Sequence, residues 1–209
     1  MSDILAQLAS ASGNKSQDMN VHVAERIADS KDKKAIQELI SGLQHKTKAV
    51  RHDCIKTLYE IAERQPKLIA AFANTFIELL GSNDNRMQWG AMTGLSAIVN
   101  EAPEIIFSNL SKVIAVADAG SVITKDHAVK ILAALSSQKE YASTTIPLLL
   151  EQILASPNNQ LPSYAEQAQP VIQGKVAKQR FIQILTDRVG NVTPDSKKKR
   201  VEKVLKKLS

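Results

Sequence analysis

Aromatic residues make up only 4% of this 209-residue chain, and cysteine occurs once. A lone thiol, Cys54, cannot close an internal disulfide, which excludes a disulfide-stapled extracellular scaffold and suits a reducing compartment. Ala, Leu and Ile dominate the apolar residues, a composition that favours helix and leaves little material for strands. The eight glycines occur singly, so there is neither a glycine-rich phosphate loop nor a GxSxG elbow. The four histidines, His22, His45, His52 and His127, form no pair at i, i+4 spacing, and no metal site follows. No apolar run is long enough to span a bilayer, and the opening MSDILAQLAS carries Asp3 where a secretory signal carries base. These absences assign no catalytic residue, metal or cofactor, and they point to a cytoplasmic protein that is not an enzyme and has no membrane partner.

The chain has instead a period. The apolar pattern of Val50 to Pro66, VRHDCIKTLYEIAERQP, returns 37 residues later and again 37 after that. Cys54, Ala91 and Ala128 align, as do Leu58, Leu95 and Leu132, then Ile61, Ile98 and Leu135. The preceding segment repeats in step: Leu39, Ile40 and Leu43 map onto Phe76, Ile77 and Leu80, then onto Val113, Ile114 and Ala117. A fixed period of this size marks an array whose units bury their apolar faces against their neighbours. Helical spacing in both halves makes the unit a helical hairpin.

The spacing predicts an all-α chain in three parts. Residues 1–31 form N-terminal cap helices, with Ile4, Leu5 and Leu8 before Gly13-Asn14 and Met19, Val23 and Ile27 after it. Residues 32–173 hold about four repeats, near 32–65, 66–102, 103–139 and 140–173. Asp32 caps the first helix, and the short His45 to Lys48 connection makes its partner antiparallel. Gly81 ends a helix, and Thr124 caps the second helix of the third pair. In the fourth repeat the period stretches to 40, and Pro157, Pro162 and Pro170 make it the least regular. Residues 174–209 add a helix with Val176, Phe181, Leu185 and Val189 on one side. A basic helix follows, opened by Thr193-Pro194-Asp195 and carrying Val201, Val204, Leu205 and Leu208 on a narrow apolar face.

Charge is unevenly spread. Between Lys175 and Ser209 there are 11 Lys and Arg against 3 acids, and before them 16 bases against 18 acids. The net charge of +6 therefore comes from the tail.

Helix pairs of 37 to 40 residues, with Pro66 and Pro103 opening first helices and Val50-Arg51 opening a second, resemble HEAT repeats, relatives of the armadillo repeats. The resemblance covers roughly residues 32–173. Departures occur where the HEAT pattern has a turn aspartate, since that position reads His45, Ser82 and Ala119, and at the Arg51 position, which reads Gln88 and Lys125 in the next repeats. The resemblance implies a right-handed α-solenoid of HEAT-like antiparallel pairs, with second helices on the concave side, a shape used to bind proteins or peptides and sometimes nucleic acid.

If Val50, Cys54, Leu58 and Ile61 face the core, Arg51, His52, Lys56 and Tyr59 face away from it. With Trp89, Lys125 and Lys130 at related positions they form a strip suited to an acidic protein or peptide partner. Trp89 has two readings, an anchor for that partner or a filler between adjacent helices. Gly90 and Gly94, one turn apart, read as a close packing contact. The basic helix, with Lys197, Lys198, Lys199, Arg200, Lys203, Lys206 and Lys207, is a solvated face, a nonspecific nucleic-acid grip or an amphipathic partner helix. An alternative enzyme class is the HEAT-like alkylpurine DNA glycosylases, for which Asp53 and Asp126 are the nearest acids, although no residue-by-residue match carries over.

Overall fold

The structure is a computed structural model and describes residues 4–11, 13 and 17–208. Asp3 and Asn14, used in reading the sequence, lie outside the described residues. The described residues form helices and no strand. They group into two compact units, Met1–Thr124 and Lys125–Ser209.

In the first unit, a short 3-10 turn (Leu5–Gln7) and α1 (Asp18–Ser30) precede the first repeat, α2 (Lys33–Gly42) and α3 (Lys48–Arg64). Lys31 ends α1 in the left-handed region, at φ 52°. Asp32 then caps α2 as expected, its carboxylate accepting from the amides of Lys34 and Ala35 at 3.0 Å each. The apolar register holds: Ala35, Ile36 and Leu39 of α2 and Cys54, Leu58 and Ile61 of α3 are buried, while Val50, in the first turn of α3, is half-buried. Gly42 makes the close approach possible, because a Cβ there would stand 2.5 Å from the Cys54 sulfur. Burial, helped by the nearby Asp53 charge, pushes the Cys54 thiol up to about 12, the behaviour of an inert core thiol.

The second and third repeats depart from a simple hairpin. Pro66 and Pro103 open their first helices as the sequence indicates. Each of those helices then breaks in two: α4 (Pro66–Ile69) runs through a 3-10 turn at Ala70–Phe72 into α5 (Ala73–Leu79), and α7 (Pro103–Ser108) stops at Asn109 before α8 (Leu110–Ala119). At that second break Asn109 leaves helical geometry, φ −112° and ψ 18°, and its side chain donates to the Ile105 carbonyl at 2.9 Å. A side chain competing for helix carbonyls is how Asn interrupts a helix. The long helix of the second repeat, α6 (Asn85–Ile98), packs on α3 and α5. Here the glycines act as read from the sequence. A Cβ at Gly90 would stand 2.7 Å from Ile55 Cγ1 and one at Gly94 2.5 Å from Phe76 Cε1, so both let α6 come closer than alanine allows.

The second unit holds most of α9 (Val122–Ser136), with α10 (Lys139–Leu154), α11 (Leu161–Ala168), α12 (Lys175–Val189) and α13 (Asp195–Leu208). Helix α9 starts ahead of Thr124, whose hydroxyl donates to the Ser121 carbonyl at 2.7 Å, so Thr124 lies inside the first turn and is not the cap. The fourth repeat is irregular as expected: α10 carries Pro147 in its interior, and α11 has eight residues. Phe181 and Leu185 of α12 are buried, but Val176 is 81% exposed. Five residues separate Val176 from Phe181, which turns it about 140° away around the helix. Helix α13 buries Val201 and Val204 and packs on α11 and α12, so the basic helix is docked.

Candidate binding surfaces

The exposed side of α3 is built by internal contacts. Arg51 Nη1 donates to the carbonyls of His45 and Lys46, at 2.8 and 3.2 Å, and closes the turn that leads into its own helix. In the next repeat Gln88 holds the equivalent position and donates to the Leu80 carbonyl at 3.0 Å. Both side chains satisfy carbonyls in the connection ahead of their own helix, at different positions in the two repeats.

His52 Nε2 lies 2.8 Å from Asp84 Oδ2, and Lys48 Nζ reaches the same oxygen at 3.4 Å. Asp84 also caps α6, accepting from the Arg86 amide at 3.1 Å. Burial opposes the Asp84 charge. The hydrogen bonds from His52 and the Arg86 amide outweigh it and hold the carboxyl below its usual range.

Lys56 bonds the Glu60 carboxylate and sits 4.8 Å from the centre of the Tyr59 ring. Glu60 accepts from Arg64 at 2.6 Å, and Arg64 reaches Glu25 of α1 at 3.0 Å, an ionic chain along one side of the unit. Burial would raise the Glu60 carboxyl, but hydrogen bonds from Lys56 and Arg64 overcome it and hold the group low. Trp89 is half-buried, at the position one repeat on from His52. The strip therefore presents Arg51, His52 and Lys56 already engaged within the chain, with Trp89 on α6 partly open to solvent. Lys125, half-buried, and Lys130, exposed, are on α9 in the second unit.

Both acids weighed for catalysis have structural partners. Asp53 is 3% exposed and accepts from the Ser10 amide at 2.7 Å and from Asn20 Nδ2 at 2.8 Å. Asn20 in turn accepts from the Ala9 amide at 2.9 Å. These contacts pin Leu8, Ala9 and Ser10 against α1 and α3, a network that reading the sequence missed because its members lie far apart in the chain. Asp126 accepts from the Tyr164 hydroxyl at 2.6 Å; burial, then this bond, pushes the Tyr164 phenol upward.

On α13, Arg200 makes a two-pronged pair with Glu166 at 2.9 and 2.6 Å, and Lys197 donates to the Asn159 carbonyl at 3.2 Å. The Arg200 hydrogen bonds hold the Glu166 carboxyl below its usual range. Lys198 is half-buried, and Lys199, Lys203, Lys206 and Lys207 are exposed. Arg188 of α12, which no sequence pattern singled out, donates to the carbonyls of Ile153, Leu154 and Ser156 and to the side chains of Ser156 and Asn158. It closes the C-terminal end of α10, and burial lowers its pKa.

Among the described residues no group of three His, Cys, Asp or Glu side chains is arranged to hold a metal ion, and no helix is long and apolar enough to cross a membrane.

The described residues form an all-α helical-repeat fold, the fold class also read from the sequence. Solved structures agree along nearly the whole chain. An engineered protein matches with a TM-score of 0.67 at 20% identity, covering 100% of this chain and 99% of its own. A designed armadillo repeat protein in complex with the peptide (KR)4 matches with a TM-score of 0.67 at 16% identity, covering 99% and 98%. A computationally designed armadillo repeat protein for modular peptide recognition matches with a TM-score of 0.65 at 18% identity, covering 97% of each chain. No protein-family profile matches the chain, and no curated protein does.

Proposed function

We propose that this chain is a non-enzymatic helical-repeat scaffold that binds an acidic protein or peptide segment on the face carried by its long helices. The observation that carries the reading is Trp89, a partly exposed indole at the repeat position that His52 fills one unit earlier, on a fold shared with a designed protein that holds a peptide. That peptide is basic, whereas Lys125 and Lys130, which form no ion pair among the described residues, call for carboxylates. Arg51, His52 and Lys56 shape and stiffen the surface through their internal contacts, and Trp89 supplies apolar area for an anchor. The reading places the chain in the cytoplasm, where a buried thiol stays reduced.

The chain has one tryptophan, so its emission reports on this surface directly. Titration with (DE)4, the charge inverse of the bound peptide above, is expected to shift Trp89 emission saturably. The double substitution Lys125→Glu, Lys130→Glu should weaken the response, and Trp89→Ala should weaken binding measured by calorimetry. Unchanged binding by both variants removes the assignment.

A second reading rests on the charge division. Residues 1–124 carry 13 Lys and Arg against 14 acids, and residues 125–209 carry 14 against 7. Exposed Lys199, Lys203, Lys206 and Lys207 would serve as phosphate contacts without base readout. Because α13 buries Val201 and Val204, charge reversal at these four lysines is a cleaner test than truncation. Duplex binding at low salt that disappears in the reversed variant supports this reading; no binding by the wild-type chain ends it.

A further inference from the structure

The second unit contains a groove of about 640 Å³ between α10 and the start of α12. Its floor is apolar, formed by Ile146, Pro147 and Leu150 of α10 with Ala177 and Ile184 of α12. Two residues at its edges, Leu154 at 47% and Val176 at 81%, are among the few large apolar side chains left exposed in the described chain. Val176, Arg180 and Ile184 follow one another at four-residue intervals, so one stripe of α12 is turned to the groove and another, with Phe181 and Leu185, to the core.

Positive charge outweighs negative in the groove. Helix α12 starts after Gly174, at φ 82°, and no side chain caps it, so the amides of its first turn are left to solvent or a ligand. Lys175 and Arg180, which line the groove, follow within that first part of the helix, with no acid before Asp187, and neither forms an ion pair among the described residues. The positive end of the helix dipole adds to them. Opposite stands one acid, Glu151. Pro147 has no N–H to give to the Ser143 carbonyl one turn back, and Ser143 also lines the groove.

We propose that this groove is a docking site for an acidic, amphipathic peptide segment of a partner protein, separate from the Trp89 surface and not dependent on that reading. Apolar side chains of the segment cover Val176 and Leu154 and fill the floor between them. Its carboxylates meet the open first turn of α12 with Lys175 and Arg180, and the Ser143 carbonyl is available to a donor. The α10 wall from Ala142 to Leu154 runs about 18 Å, the length of a three-turn peptide helix.

The test pans a random 16-residue peptide display library against the full chain, then measures the enriched peptides by calorimetry. Expected are peptides rich in Asp and Glu with apolar residues at helical spacing. Their affinity should fall at least about tenfold in Val176→Glu and in Arg180→Glu, and should be unchanged in Trp89→Ala. Both substituted groove residues are exposed, so matching melting temperatures will show that the fold is intact. Enriched peptides without acidic bias, affinity that survives Val176→Glu, or the absence of enrichment overturns the proposal. Loss of affinity in Trp89→Ala alone places the peptides on the other surface and also overturns it. A dimer of the wild-type chain that Val176→Glu dissociates makes the occupant a second copy, with the same consequence.

Discussion

Asn20 Nδ2 stands 2.8 Å from Asp53 Oδ1, a bond that joins α1 to the second turn of α3 beneath the N-terminal segment. A carboxylate only 3% exposed is tolerated there because the Ser10 amide and the Asn20 amide both donate to it. Asp53→Ala leaves those donors buried without an acceptor and should cost about 2–4 kcal/mol. The loss is expected to be local first, with amide exchange accelerated at Leu8, Ala9 and Ser10 before α6. Uniform acceleration across the unit would refute the latch.

The two glycines of α6 are expected to differ. Alanine normally stabilises a helix interior by about 1 kcal/mol over glycine. At Gly94 the added methyl would meet the Phe76 ring at 2.5 Å, so Gly94→Ala should instead destabilise by roughly 1–3 kcal/mol. At Gly90 the methyl would meet Ile55 Cγ1 at 2.7 Å, a slightly longer approach to a smaller group than the Phe76 ring, and the loss should be smaller. Denaturant midpoints for the two variants, and for Gly94→Ala with Phe76→Leu, check this; the double variant should recover part of the loss.

Arg188 binds carbonyls at the end of α10 through both terminal nitrogens. Arg188→Ala should cost about 1–3 kcal/mol, and Arg188→Lys should recover little, since an ammonium cannot make the same forked contacts. Thermal unfolding of the two variants will show it. Full recovery by lysine would mean that charge alone suffices.

His127 supplies an acid limb to stability. Burial, with the nearby Lys130 charge, lowers its pKa from 6.5 to about 4, so the folded chain keeps it neutral where the unfolded chain takes up a proton. Its contribution is therefore complete above about pH 6.5 and is lost as the pH falls toward 4, by at most about 3 kcal/mol. Unfolding free energies measured from pH 7 to 4 should decline less steeply in His127→Gln.

Features that depend on neighbouring residues were legible in the sequence. Asp32 as a cap, Pro66 and Pro103 as helix openings and the 37-residue apolar register all follow from local spacing, and each is present in the structure. Breaks inside the first helices were not legible, because one depends on how the Asn109 side chain bonds to the Ile105 carbonyl. The candidate strip was legible as positions but not as contacts. Lys56 and His52 read as facing away from the core, whereas Glu60 one turn on and Asp84 from the next repeat partner them. Asp53 gave no local sign of its partners, since Ser10 and Asn20 lie 43 and 33 residues away. Arg188 was likewise hidden, with its nearest acceptor 30 residues distant. The sequence pattern groups Val176 with Phe181 on one side of α12, whereas 100° per residue separates the two, and Val176 is exposed.

The sequence pI of about 9.4 is an average that no binding partner or chromatography resin encounters. Residues 1–124 carry nearly balanced charge, and the whole surplus lies in residues 125–209. Retention on a cation exchanger, adsorption to anionic glass and other apparent stickiness should therefore follow the last 85 residues alone. Neutralising substitutions there would change the handling of the whole molecule, and the same substitutions among the first repeats would pass almost unnoticed.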